Sequence, residues 1–219
     1  LVRTTKNIFY SKTVIIATGR VPKEIKLPFD NNVPKELQRV HNFIDYPYST
    51  LKKVKNVLIV GGGYVGLDVA EDLSEHVKKI YIIEKSANLG GNNTRIQEIK
   101  KKKNIEIFLN TTIKTISSPC KKELIVNLAN KKNPPKLIIN GIFVATGTKT
   151  ISPSLNVSKT KNSEIRITNS RNRIKRNMTS MEGIFACGDC VEPTEYGFEP
   201  LAIGEGIKTA KTVANYLHK

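Results

Sequence analysis

The sequence predicts an α/β fold built on a parallel sheet of short buried strands, and three observations carry that prediction. Apolar, β-branched runs of strand length recur along the chain: TVIIAT (13–18), NVLIV (56–60), IEIFL (105–109) and GIFVAT (141–146). Strands covered on both faces read as continuous apolar runs of this kind. Between Asn56 and Glu84 a strand, a tight turn, a helix and a second strand follow within about 30 residues, the length of one crossover unit. The 219 residues are 39% hydrophobic and 25% charged, a globular composition sufficient for one large or two small domains.

Taken in order, 13–18 is a buried strand ended by Gly19. From 20 to 50 the prolines at 22, 28, 34 and 47 and the lack of periodicity predict a long connection with at most one short helix. Residues 56–60 are a strand and 61–63 a glycine turn. Residues 64–76 are helical, with Val65, Val69 and Leu73 on one face and Ala70 beside them. A strand follows at 79–84, then a helix at 94–103 and a strand at 105–109. The alternation over 111–128 predicts a small antiparallel meander, which 136–139 extends. Residues 141–146 form another buried strand, ended by Gly147, so that the Ala-Thr-Gly ending at Gly19 is echoed. Residues 151–181 are polar, with one alternating run at 164–168. The last strand is 183–187, and 200–218 closes the chain as a helix with Ile207, Ala210, Val213 and Leu217 on one face.

The formal net charge is +17. Such charge suits nucleic acid or an anionic surface. Here the basic runs (100–103, 131–132, 171–176) are scattered, rich in Asn and without interleaved aromatic residues that would stack bases. They read as solvated surface, and no nucleic-acid partner is expected. No apolar run approaches the ~20 residues of a membrane helix, so no membrane role is expected. The start, LVRTTKNIFYSK, lacks the apolar core and cleavage site of a signal peptide and enters a strand at once; the chain is expected to begin mid-domain. Three cysteines make a poor disulfide scaffold, which points to a reducing cytoplasm.

Two motifs carry chemistry. Gly61-x-Gly63-x-x-Gly66 directly follows a strand and opens a helix. The first glycine permits the tight turn, the second close approach of backbone to a pyrophosphate, and the third close packing of helix on strand. The helix N-terminus then offers N–H groups and the positive end of its dipole. Glu84 ends the next strand, close to the ~20-residue offset at which a carboxylate accepts the ribose hydroxyls and repels a 2′-phosphate. NADH is therefore expected over NADPH. The bland alternative is a structural glycine turn with Glu84 on the surface. The second motif is GIFACGDC (183–190), where Cys187 and Cys190 have C-x-x-C spacing. Redox pairs of this spacing favour a helix N-terminus that lowers a thiol pKa. Here they follow a strand and precede VEPTEYGFEP, which has two prolines and three glutamates. The reading favoured is that Gly188 allows close backbone approach and Asp189 accepts hydrogen bonds from a sugar-like chain such as the ribityl of a flavin. No second Cys or His pair completes a metal site.

An ATG-ended strand, GGGYVGLDVA, a second ATG strand, GIFACGDC and a last helix led by EPLAIGEG together resemble, in order and spacing over essentially the whole chain, the thioredoxin reductase-type flavoproteins of the pyridine nucleotide-disulfide oxidoreductases. The flavoprotein subunit of alkyl hydroperoxide reductase is similar. The resemblance implies a Rossmann-like three-layer NAD domain (22–148) inserted into an incomplete FAD-binding domain (1–21 and 149–219), whose N-terminal glycine-rich segment has no counterpart here. It implies hinges near 19–22 and 147–152. Gly188 and Asp189 match the flavin-ribityl motif, Leu201 and Ala202 the helix start that faces the flavin pyrimidine end, and Tyr64 a residue near the nicotinamide. The cofactor-binding set is thus Gly61, Gly62, Gly63, Tyr64, Val65, Gly66, Glu84, Gly147, Gly188, Asp189, Leu201 and Ala202, with no catalytic side chain and no metal ligand. The family's redox C-x-x-C lies before the glycine-rich strand, where this chain reads RVHNFIDYPYST (39–50) without cysteine. The implied activity is hydride transfer from NAD(P)H to FAD, with a small redox protein of thioredoxin, ferredoxin or flavodoxin type as acceptor and a homodimer as assembly. The rival readings are a disulfide-free ferredoxin/flavodoxin–NAD(P) reductase and a non-catalytic nucleotide-binding fragment.

Overall fold

The structure is a computed structural model that describes residues 1–42, 51–120, 122–129, 136–192 and 199–218. The chain divides into two compact units, one of residues 22–147 and one of residues 1–21 with 148–219.

In the unit of residues 22–147, four parallel strands form the central sheet: β5 (Asn56–Val60), β6 (Lys79–Ile83), β7 (Ile105–Phe108) and β11 (Gly141–Val144), in the order β11-β5-β6-β7. Helices α1 (Tyr64–Ser74) and α2 (Asn93–Lys101) cover one face. There Leu67, Ala70, Leu73 and Ile99 pack on Val57, Ile59, Ile80, Ile82 and Phe143. The antiparallel meander β8 (Thr112–Cys120), β9 (Glu123–Ala129) and β10 (Lys136–Ile139) covers the other. Its Ile116, Leu124, Val126, Leu128, Leu137 and Ile139 meet Leu58, Ile83, Phe108, Ile142 and Val144. Successive residues of a strand point to opposite faces, so a sheet buried on both sides needs apolar residues at every position. NVLIV meets that need: Val57, Leu58 and Ile59 are all fully buried.

The predicted apolar face of α1 is rotated. Val65 is 39% exposed and Val69 half-buried, while the buried stripe is Gly66, Leu67, Ala70 and Leu73. The cause is Gly66, which abuts the backbone of Gly61 and so must face the sheet. At 100° per residue that choice brings Leu67, Ala70 and Leu73 inward with it.

In the unit of residues 1–21 and 148–219, β3 (Val14–Ile16) pairs in parallel with β13 (Ile184–Ala186). A small hairpin joins β1 (Val2–Arg3) to β2 (Ile8–Phe9), and β4 (Arg20–Pro22) pairs with β12 (Thr148–Thr150). The alternating run at 164–168 is not a strand; Ile165 makes isolated bridges to Lys159 and Val191. Helix α3 (Glu199–Leu217) packs by Val213 and Tyr216 against Phe185 and Met178, with the Phe185 and Tyr216 rings edge-on at 5.6 Å. Its predicted face is also corrected: Ile207 is 68% and Leu217 45% exposed, and the buried positions are Thr209, Thr212 and Val213. Threonine takes those places because its hydroxyl is satisfied locally: Thr209 Oγ1 accepts from Asn177 Nδ2 at 2.7 Å, and Thr212 Oγ1 donates to the Lys208 carbonyl at 3.0 Å.

Candidate functional site

The glycine turn sits where β5 meets α1. Gly61 has φ +108°, and a Cβ there would collide with the Ala145 carbonyl at the end of β11. A Cβ on Gly66 would collide with the Gly61 carbonyl, and one on Gly62 with Leu89. Gly61 and Gly66 are dictated by packing against backbone, whereas the Leu89 side chain can turn aside from a methyl at Gly62. Gly63 differs: its φ of −81° and ψ of −173° suit any residue, and no atom lies within 4 Å of the place its Cβ would take. The open space lies at the N-cap of α1, and Gly63 has no side chain to cap the helix. A helix N-terminus opening on free volume is suited to an anion. Tyr64 and Val65, both 39% exposed, form the first turn beside it.

Glu84 clamps this turn. Its Oε2 accepts from the Gly62 N–H at 2.8 Å and its Oε1 from the Ser86 N–H at 2.9 Å. Partial burial pushes its pKa up, but those two donors, the Ser86 side chain and the nearby Lys85 charge outweigh that and hold the carboxyl below its usual range. The carboxylate therefore stays ionised with lone pairs to spare, since two oxygens offer about four acceptor sites. Beyond β11, Gly147 has φ +90° with open space around it, and the buried Thr146 Oγ1 lacks a hydrogen-bond partner among the described residues.

In the other unit, GIFACGDC turns sharply after β13. The Cys187 N–H donates to the Ile16 carbonyl at 3.0 Å; Gly188 then takes φ +73° and begins a single 3-10 turn to Cys190. The turn is anchored by its backbone. Glu205 of α3 accepts the Gly188 N–H at 2.8 Å, the Arg20 Nε–H donates to the Asp189 carbonyl at 2.8 Å, and the Ile165 N–H donates to the Cys190 carbonyl at 2.8 Å. The Asp189 carboxylate has no hydrogen-bond or ion-pair partner among the described residues. Ala202, in the first turns of α3, lies 3.8 Å from where a Gly188 Cβ would stand, and Leu201 is 46% exposed.

Both motif cysteines are buried, Cys187 at 6% and Cys190 at 0% exposure. The Cys190 thiol donates to the Cys187 carbonyl at 3.2 Å. Burial pushes the Cys187 thiol up, and Cys190 and Glu205 add to that against a lowering hydrogen bond with Thr209. A buried thiol held protonated is a poor nucleophile. The stretch at 39–50, where the resemblance implies a redox pair in relatives, falls largely outside the described residues, which omit 43–50.

The structure thus gathers Gly61, Gly62, Gly63, Tyr64, Val65, Gly66 and Glu84 at one strand-end, and Gly188, Asp189 and Ala202 in a second cluster in the other unit. Sequence reasoning missed Arg20, Glu164 and Glu205, which hold the second cluster. Their partners lie far off in the chain, 169 positions in the case of Arg20 and Asp189, and no local pattern marks them.

A sequence model of the pyridine nucleotide-disulphide oxidoreductases matches residues 2–213. Among curated proteins, a thioredoxin reductase of Buchnera aphidicola (from Acyrthosiphon pisum) is 29% identical over 194 residues, covering 85% of this chain and 60% of the relative. A ferredoxin–NADP reductase of Bacillus thuringiensis is 28% identical over 194 residues, covering 84% of this chain and 53% of the relative. Among solved structures, the thioredoxin reductase of T. acidophilum superposes with a TM-score of 0.77 at 23% identity, over 98% of this chain and 69% of that one. The chain spans about 60% of the length of the thioredoxin reductases of Buchnera that it matches. With the family's sequence model matching nearly its whole length, the chain belongs to the pyridine nucleotide-disulphide oxidoreductase family.

Proposed function

We propose that this chain is the NAD-binding part and a portion of the FAD-binding part of an NAD(P)H-dependent flavin oxidoreductase of thioredoxin reductase type. Residues 22–148 act as the NAD domain, and 1–21 with 149–219 as the FAD portion. The observation that carries the reading is the open space over Gly63 at the capless N-terminus of α1, walled by glycines that packing requires. It is volume of the kind a pyrophosphate needs.

The chain's own groups bind and orient. The turn from Gly61 to Gly66 holds the pyrophosphate, with Tyr64 and Val65 on its rim and Gly147 at the neighbouring strand-end. Glu84 takes the ribose hydroxyls, which favours NADH over NADPH, because an ionised carboxylate repels a 2′-phosphate. Gly188 and Asp189 hold the flavin's ribityl chain, and Leu201 and Ala202 turn the positive end of α3 toward its pyrimidine edge. When bound, nicotinamide and flavin themselves supply the hydride chemistry. No side-chain acid, base or nucleophile is required, and the buried, protonated Cys187 fits that account.

A second reading concerns the acceptor. Residues 39–50 hold no cysteine, which favours a disulfide-free reductase of ferredoxin or flavodoxin type over a direct thioredoxin reductase. The net charge of +17 suits an acidic carrier. Cytoplasmic residence and a homodimer complete the proposal; among the described residues no helix is long and apolar enough to cross a membrane. The test is titration with NADH and NADPH, followed by assays with thioredoxin, ferredoxin and flavodoxin. Tighter NADH binding with ferredoxin or flavodoxin reduction is expected. Tighter NADPH binding overturns the coenzyme assignment, and nucleotide binding with no flavin uptake reduces the chain to a nucleotide-binding fragment.

A further inference from the structure

Arg20 stands at the mouth of the connection between the units, one residue after Gly19, whose φ is +64°. It does two things at once. Its Nε–H donates to the Asp189 carbonyl at 2.8 Å, and its Nη2 donates to Glu164 Oε1 at 2.7 Å. Both partners of the ion pair are largely covered, with side chains 19% and 17% exposed, so the pair is shielded from the screening that weakens surface pairs. Glu164 is itself fixed, its Oε2 accepting from Thr160 Oγ1 at 3.1 Å while its N–H donates to the same hydroxyl at 3.2 Å. The next residue, Ile165, donates its N–H to the Cys190 carbonyl. One short segment therefore grips the turn directly through Ile165 and indirectly through Arg20.

The grip is applied to backbone only. The Gly188 N–H is taken by Glu205, the Asp189 carbonyl by Arg20 and the Cys190 carbonyl by Ile165, while the Asp189 carboxylate has no partner among the described residues. A guanidinium is a rigid fork, so fixing one arm on Glu164 aims the other at the carbonyl. We infer that Arg20, oriented by Glu164, is a positioning residue for Asp189: it locks the peptide and keeps the carboxylate available to a polyol. The inference rests on the reading of Gly188 and Asp189 as a flavin-ribityl site. It adds that the aim of Asp189 is set from the connecting strand, through a pair that no local motif contains.

The test compares riboflavin, which carries the ribityl chain, with lumiflavin, which lacks it, on the purified chain by flavin fluorescence. NADH affinity serves as a control on the other unit. The wild type is expected to prefer riboflavin. Arg20→Ala is expected to lower the riboflavin-to-lumiflavin preference at least tenfold, with lumiflavin and NADH affinities within twofold of wild type. Arg20→Lys, which keeps the charge but not the fork, is expected to recover only part. Should Arg20→Ala fail to fold, Glu164→Gln, which unseats the fork while leaving Arg20 in place, is expected to shift the preference in the same direction. An unchanged preference in folded variants, or an equal loss for both flavins, overturns the positioning role and leaves the flavin site standing. A wild type that binds neither flavin, or shows no preference, overturns the flavin-site reading itself and this inference with it.

Discussion

Two alanine substitutions in one turn should separate packing glycines from ligand glycines. At Gly66 the added methyl meets the Gly61 carbonyl, with Ala145 Cβ a further 3.4 Å neighbour. Gly61 has little room to shift, since even a Cβ on it would collide with the Ala145 carbonyl. Overpacking of this kind costs about 1–3 kcal/mol. The helical preference for alanine over glycine returns roughly 0.5–1 kcal/mol. Because the methyl meets a backbone oxygen, the upper end of that cost applies, and Gly66→Ala is expected to lose about 2–2.5 kcal/mol, or roughly 4–10 °C in Tm at the usual conversion for a domain of this size. At Gly63 the methyl enters open space from a backbone already extended, so stability should hold within about 1 kcal/mol. The same methyl occupies volume assigned to the pyrophosphate and removes at least one phosphate hydrogen bond. With charge-assisted bonds of about 1.5–3 kcal/mol, NADH should bind about 10- to 150-fold more weakly. Thermal unfolding by circular dichroism and NADH titration by nucleotide fluorescence read the two effects apart. Wild-type NADH affinity in Gly63→Ala refutes the placement of the phosphate, and an unchanged Tm in Gly66→Ala refutes the packing argument.

Other expectations follow from the clamps. If Glu84 sets the proposed preference for NADH over NADPH, Glu84→Gln should narrow that preference about tenfold or more, measured as a ratio of dissociation constants, because a charge that repels a 2′-phosphate is gone. The folded-state pKa of Glu84 lies below its ordinary value, so its stabilising contribution is complete above the unfolded pKa and is lost as pH falls through the folded one. The stability gap between wild type and Glu84→Gln should accordingly be full at pH 7 and shrink progressively as the pH falls below the ordinary glutamate pKa of about 4.3 in urea unfolding. Replacing Cys187 and Cys190 together by alanine should leave NADH affinity within twofold and any NADH-driven flavin reduction intact, while lowering stability. Loss of flavin reduction in a folded double variant would restore a redox role to the pair. Asn177→Gly keeps the left-handed backbone (φ +58°) but removes the buried bond to Thr209, and should cost about 1–3 kcal/mol by chemical unfolding.

The parallel sheet was legible because burial on both faces leaves one signature, the unbroken apolar run, and NVLIV, IEIFL and GIFVAT each became a strand. The glycine turn was legible because Gly61 and Gly66 answer a local steric demand, while Gly63 leaves open space at the helix start. The helix faces were not. In α1 the demand of Gly66 for the sheet outranked the Val65–Val69 stripe, and in α3 satisfied threonines took buried places that hydrophobicity alone gives to Ile207 and Leu217. The supports of Asp189 were also hidden. Arg20 and Glu164 lie 144 positions apart, and their meeting depends on β3 pairing with β13, a long-range event that no window of sequence contains.

The visible absorption spectrum of the purified chain with FAD, taken before and after anaerobic NADH, decides whether this chain joins nucleotide to flavin. A protein-bound flavin band, retained through desalting, that bleaches when NADH is added is the expected result. A chain that binds NADH but retains no flavin would contradict the flavin half of the account, and activity would then have to be sought in a longer polypeptide.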